Sequence, residues 1–302
     1  MGDTGVEGSQ ENLLRGIRGL ATTQLDTGEK DYIPAVPGTA ISLTLDIMLQ
    51  ARVQAAMSPE LGLAKVQAWH QQESDTQQLG QTLHGSAVVL DIDTAEILAM
   101  VSTPTFTRAD LKNNPGAVFS DITTTPYLNR AIAKPYPPGS IVKPMILTGA
   151  ITLGNLRLDE RLECTGHLLP DRPTILSCLV YKRYKTTHNE ILGRDLDGTD
   201  AVMQSCNVFF FTMGRRMGQD YVCKIYREYG LCEPFHLGIG AEFSGQLGLN
   251  NDGSDLALPD AIQMAIGQGP VSWTPLHAAD AYATLARAGV FIQPQIIKSQ
   301  NR

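Results

Sequence analysis

Tyr136-Pro137-Pro138-Gly139-Ser140-Ile141-Val142-Lys143 is the stretch around which the rest of the chain is organised. Two prolines force an extended approach and Gly139 supplies a tight turn. An apolar-periodic run from Ser140 to about Gly154 then reads as a helix. Ser140 stands at the N-terminus of that helix. Lys143 follows one turn later on the same face, where its amine can reach the serine hydroxyl. A serine is a weak nucleophile until a base takes its proton, and a lysine serves once burial lowers its own pKa. The helix dipole and the Ser140 N–H favour the oxyanion formed on attack. Taken alone, S-x-x-K also fits a helix cap followed by a surface lysine, so its surroundings decide.

The chain has 302 residues, 43% of them hydrophobic, enough for one large domain or two modest ones with a real core. A net charge of -7 and the lack of a basic cluster argue against nucleic acid as a partner. No apolar run reaches the length of a membrane span and no signal-peptide pattern opens the chain, so an anchor in the parent protein is expected outside it. Five cysteines, an odd number, exclude a complete disulfide framework.

Residues 1–37 carry scattered glycines without sustained period and read as an irregular lead-in. Ala40 to Leu45 reads as a short strand, and Asp46 as the cap of a helix to about Met57. Leu63 to about Glu73 is a second helical pattern. Ser86–Ile92 and Glu96–Ser102 are β-rich runs joined by Asp93-Thr94-Ala95, a hairpin in which glycine would suit position 95 better. Pro104 to Pro126 has turn chemistry and reads as a surface excursion. Arg157 to Asp197 is a long connection too irregular for core elements. It holds Cys164, Cys178 and His188, for which three readings stand open: Zn2+ ligation completed by a carboxylate or second histidine, a Cys164–Cys178 disulfide, or free thiols.

Thr199–Gln204 starts a helix that Ser205-Cys206-Asn207 interrupts before Val208 resumes the register. The tripeptide reads either as a buried polar turn or as two side chains over a cleft, Ser205 relaying a proton and Asn207 clamping an amide or Lys143. Helices are also expected at Gly218–Tyr229, at Pro259–Ile266 before Gly267-Gln268-Gly269, and at Pro275–Ala288 behind the Thr274-Pro275 cap. Those glycines lack phosphate-loop spacing.

With Ser140-x-x-Lys143 followed by Ser205-x-Asn207, the chain resembles the penicillin-binding D,D-transpeptidases of class B. Further landmarks stand in the family's order. They are Leu43-Thr44-Leu45-Asp46 with Gln50, Glu96 to Met100 with Ser102 and Pro104, Asn129-Arg130-Ala131, and Ala265 to Gly269 with Thr274-Pro275-Leu276. The Ile-Gly-Gln-Gly form is similar to the elongation-type enzymes, with division-type relatives close.

The resemblance implies an α+β, serine β-lactamase-like fold with an incomplete antiparallel sheet flanked by helices. Residues 1–37 would end a non-catalytic N-terminal module and 38–302 would be the transpeptidase domain. It also implies an acyl-enzyme on Ser140, with Lys143 as base, Ser205 as relay, Asn207 on the substrate amide, and Gly267, Gln268 and Gly269 lining the substrate site. No cofactor is implied beyond the structural Zn2+ left open above. Implied partners are peptidoglycan stem peptides, β-lactams, a glycosyltransferase and the cell-wall elongation proteins, on the extracytoplasmic face of the membrane.

One family motif, K-[ST]-G on a strand, is absent. Lys185-Thr186-Thr187 precedes Ser205 and has no glycine, and the motif is expected downstream of Arg302. The sheet is therefore expected to keep its first hairpin, lack its last three strands and leave open edges, so that the domain is unstable alone. A non-catalytic scaffold is the rival reading. A β-lactam hydrolase or sensor is the third, disfavoured by the S-x-N form and the flanking landmarks.

Overall fold

In the computed structural model, the described residues are 5–61, 64–68, 78–250 and 253–298. The residues that the lead-in reading took as irregular form two short helices, α1 (Gly5–Ser9) and α2 (Glu11–Leu14), and a fully exposed hairpin of β1 (Leu20–Thr23) and β2 (Lys30–Ile33). Backbone pairing across this hairpin needs no apolar period, which is why the sequence pattern missed it.

Helix α3 (Ile47–Ala56) starts where expected, because the Asp46 carboxylate accepts from the N–H groups of Met48 and Leu49. The stretch before it is not a full strand. It makes a single bridge, Leu43 to Ile297, with Thr44 N–H bonding Ile296 O. Of the second helical pattern, residues 64–68 hold only a turn and a bridge from Lys65 to Thr82. The remainder of that pattern lies outside the described residues.

Strands β3 (Gly85–Leu90) and β4 (Ile97–Thr103) pair antiparallel in register Ser86↔Ser102 and Val88↔Met100. β4 alternates strictly, burying Ile97, Ala99, Val101 and Thr103. The turn tolerates Ala95 at φ 57° because Asp91 organises it, accepting from Asp93 N–H, Thr94 N–H and the Thr94 hydroxyl. The outer edge of β4 is not open. Thr44 Oγ1 donates to Ile97 O, Asp46 N–H to Leu98 O, and the Gln50 side chain both donates to Met100 O and accepts from Met100 N–H. Among the described residues no strand pairs with the outer edge of β3.

The surface excursion contains two capped helices, α4 (Arg108–Asn113), with a Thr107–Asp110 capping box, and α5 (Pro115–Ser120), capped by Asn114. It is tied back by Arg130, 2% exposed, whose guanidinium donates to the carbonyls of Pro104, Thr124, Thr125 and Leu128. Arg130 opens α6 (Arg130–Ala133), and its N–H bonds Ser102 Oγ on β4.

A 3-10 turn, Gly139–Val142, runs into α7 (Lys143–Thr152). The connection after α7 is less irregular than expected. It carries α8 (Leu179–Tyr184) and α9 (His188–Leu192), the latter started by a Thr187–Glu190 capping box. Lys185, in a left-handed turn, ends α8, so Lys185-Thr186-Thr187 is a helix–helix junction. Helix α10 (Gly198–Met203) and the long α11 (Asn207–Glu228) flank the Ser205–Cys206 turn, and α11 breaks at Gly218, as read.

Strand β5 (Gln246–Leu247) pairs with β6 (Val271–Ser272), and helices α12 (Leu258–Met264) and α13 (Pro275–Ala286) complete the fold. A large core gathers the inner faces of α7, α11 and α12 around Met145, Ile146, Phe209, Phe210, Met213 and Ala261. A smaller one joins Ile97 of β4 to Ala131, Ile132, Leu276 and Ile296.

Candidate active site

The site is assembled by stitching two distant turns. Tyr136 and Trp273 exchange both backbone hydrogen bonds, at 2.9 and 3.0 Å, and Gly139 N–H donates to Gly267 O at 2.8 Å. Gly139 and Gly267 both have positive φ, and a Cβ on Gly267 would lie 2.2 Å from Gly139 O. Glycine is required there by the close approach of the two backbones. Gln268 thereby stands at the rim of the cleft that Ser140 lines.

Lys143 is 1% exposed and its Nζ makes three hydrogen bonds: to Ser205 O at 2.8 Å, Ser205 Oγ at 2.9 Å and Asn207 Oδ1 at 2.7 Å. Three donors meet three acceptors, the full complement of an ammonium group. The bonds recorded for Nζ go to the second turn and none to Ser140, which differs from the contact expected from the S-x-x-K spacing. The reason is competition, because the Ser205–Asn207 turn offers three acceptors to a buried cation. Loss of one proton would free a lone pair for Ser140, and burial favours that loss. Burial lowers the Lys143 pKa to about 8, against the nearby Cys206 and Cys178 thiols, which act to raise it.

Ser205 sits at φ 49°, a left-handed position rarely taken by a residue with a Cβ. That backbone turn aims both its carbonyl and its hydroxyl at Lys143. Asn207, first residue of α11, also donates from Nδ2 to Ser177 O at 3.4 Å, which fixes its amide orientation. Ser140, Ser205, Asn207 and Gln268 line one cleft of about 540 Å³. Its far wall is α8, with Leu179, Val180, Arg183 and Tyr184. Of the three residues expected to line the substrate site only Gln268 does so; Gly267, taken up by the backbone contact with Gly139, and Gly269 are not among the cleft-lining residues.

Behind the second turn lies a buried group of Cys164, Cys178, His188 and Cys206 with all ligand atoms within 4.8 Å of one another. Cys164 Sγ stands 3.7 Å from Cys178 Sγ and 3.3 Å from His188 Nδ1, and Cys178 Sγ stands 3.7 Å from Cys206 Sγ. A disulfide needs about 2.05 Å, so the Cys164–Cys178 bridge is not formed and the thiols are free. The fourth member is neither a carboxylate nor a second histidine but Cys206, the middle residue of the S-x-N motif. Sequence reading counted Cys206 and gave it no role. Its position between two site residues was the available signal. The Cys164 thiol, hydrogen-bonded by its cysteine neighbours and His188, is driven towards thiolate, and it holds His188 up to about 9.

The fold is that of the penicillin-binding transpeptidases. The complex of penicillin-binding protein PBP2 with MreC from Helicobacter pylori superposes with a TM-score of 0.73 at 21% identity, covering 100% of this chain and 53% of that one. Penicillin-binding protein 3 from Mycobacterium tuberculosis, complexed with aztreonam, gives 0.70 at 25% identity over 98% of this chain and 55% of that one.

Residues 85–302 match the penicillin binding protein transpeptidase domain, and the chain belongs to that family. Curated relatives include the peptidoglycan D,D-transpeptidase MrdA of Acinetobacter baumannii, 26% identical over 99% of this chain and 42% of the relative. The peptidoglycan D,D-transpeptidase FtsI of Escherichia coli is 27% identical over 98% of this chain and 44% of the relative. The chain thus spans less than half the length of these curated relatives.

Proposed function

We propose that the chain carries out serine acyl transfer as a peptidoglycan D,D-transpeptidase. The observation that carries this is a buried lysine, lowered to about 8, hydrogen-bonded to Ser205 and Asn207, which line the same cleft as Ser140. Neutral Lys143 takes the Ser140 proton, and Oγ attacks the carbonyl between two D-alanines. The C–N bond breaks as the proton passes through Ser205 to the leaving amine. An acceptor amine then displaces Oγ by the reverse steps. β-Lactams follow the first half and stop at the acyl-enzyme. The chemistry requires no cofactor.

Similarity to MrdA, and the MreC partner named for the H. pylori protein, support a role in cell-wall elongation; a glycosyltransferase partner is part of the same proposal. The site would work at the extracytoplasmic face of the membrane. Among the described residues no helix is long and apolar enough to cross one.

The cysteine–histidine group supports a structural Zn2+. Ligands about 2.0–2.3 Å from a tetrahedral zinc lie about 3.6–3.8 Å from each other. Three of the spacings here are 3.3–3.7 Å and all four ligand atoms lie within 4.8 Å of one another, so a small adjustment would close three sulfurs and one imidazole around the ion. When bound it would clamp the α8–α9 segment to the base of α11. Metal analysis should return about one zinc per chain, lost on Cys164→Ser. Zinc-free protein from zinc-replete cells contradicts the assignment.

Incubation with benzylpenicillin followed by peptide mapping tests the main reading. A stable penicilloyl adduct on Ser140 is expected, absent in Ser140→Ala and formed about 10²–10⁴-fold more slowly in Lys143→Ala. A hydrolase would turn the drug over, and a scaffold would do neither.

A further inference from the structure

The chain is acidic overall, with a net charge of -7, yet α8 ends in Lys182, Arg183 and Tyr184 with Lys185 as its cap. These cations are divided between two faces. Lys182 and Lys185 line a separate small pocket with Tyr181, and Lys185 Nζ lies 5.5 Å over the Tyr181 ring. Of these cations Arg183 alone faces the Ser140 cleft, where it is the one arginine or lysine in a lining that also includes His188 and no acidic residue. It is exposed, and among the described residues no ion pair engages it.

The helix carrying Arg183 is held at both ends. Cys178, immediately before α8, accepts from Val208 N–H of α11 at 3.3 Å and donates its own N–H to Gly166 O. Beyond the Lys185 turn, His188 is buried against Cys164. The helix mount fixes where the Arg183 backbone stands, and its planar guanidinium can bind a carboxylate through two parallel N–H···O bonds.

We propose that Arg183 is a specificity residue that binds a carboxylate of the peptide that acylates Ser140. This rests on the acyl-transfer reading above. Such a peptide has two sources of carboxylate, its C-terminus and its side chains, and Arg183 pairs with one of them. Tyr184 and Leu179 beside it cover the peptide's apolar surface.

The test uses the full chain carrying Ser140→Ala, so that peptide binds without reacting, and follows binding by broadening of the peptide's NMR lines. Three probes are compared: a pentapeptide ending in D-alanyl-D-alanine with all carboxylates free, the same peptide with side-chain carboxylates amidated, and the same with the C-terminus amidated. One amidation should weaken binding about tenfold and thereby identify the carboxylate. Adding Arg183→Gln should weaken the free-acid peptide to the same extent and abolish the discrimination, and Arg183→Lys should restore part of it. Equal binding of all three probes before and after Arg183→Gln overturns the proposal, as does failure of every probe to bind. Failure of the acyl-transfer reading would instead appear as an unlabelled Ser140 in the penicillin experiment.

Discussion

The helical side of the molecule and its β3–β4 side solve the same packing problem at different scales. On the helical side, α7, α11 and α12 close over a core that includes Phe209, Phe210, Ile146 and Met213, each 2% exposed or less. On the sheet side, a single hairpin covers a core of seven buried residues around Ile97 and Ile132. Lys143, Ser205 and Asn207 all stand on the helical side. A lysine can be held desolvated only where its surroundings do not yield, and the larger core supplies that rigidity. The sheet side instead satisfies its edge with side chains, Thr44 and Gln50, in place of a further strand along β4.

Substitutions can break this contrast. Phe210→Ala should cost about 3–5 kcal/mol, because the ring is fully buried and packs 5.5 Å beneath Lys143 Nζ. Thermal unfolding should shift markedly, and acylation should fall as the lysine gains water. Gln50→Ala should cost about 1–3 kcal/mol by orphaning the Met100 N–H and carbonyl. Penicillin acylation below the melting temperature should be unchanged. A loss of acylation with Gln50→Ala would mean that the two sides are coupled. Ala288→Gly should stabilise by about 1 kcal/mol, since Ala288 is exposed at φ 55° just past α13. Denaturant melts would read it as a raised midpoint with an unchanged slope.

What was legible in the sequence was what local chemistry dictates. Asp46, Thr274 and Gly139 each fix a chain direction within a few residues, so α3, α13 and the Ser140 turn stand where they were read. The interruption at Ser205 was legible because two polar residues break an apolar helical run. Elements inside the excursion were hidden by their turn residues, although Thr107 and Asp110 already spelled a capping box.

The Cys206 group was illegible for another reason. Its members are joined across 14 to 28 residues by the packing of α8 and α9 on α11, which no spacing rule encodes. The open strand edges were expected by subtracting absent strands, and that subtraction could not foresee that Gln50 and Thr44 would satisfy the β4 edge.

The most direct measurement is the pH dependence of the single-turnover acylation rate with benzylpenicillin. On the proposed mechanism Lys143 acts in its neutral form, and burial lowers its pKa to about 8. The rate should rise about tenfold per pH unit below that value and level off above it, as the ammonium form gives way to the amine. A rate that is flat between about pH 6 and 9 would contradict Lys143 as the base that activates Ser140.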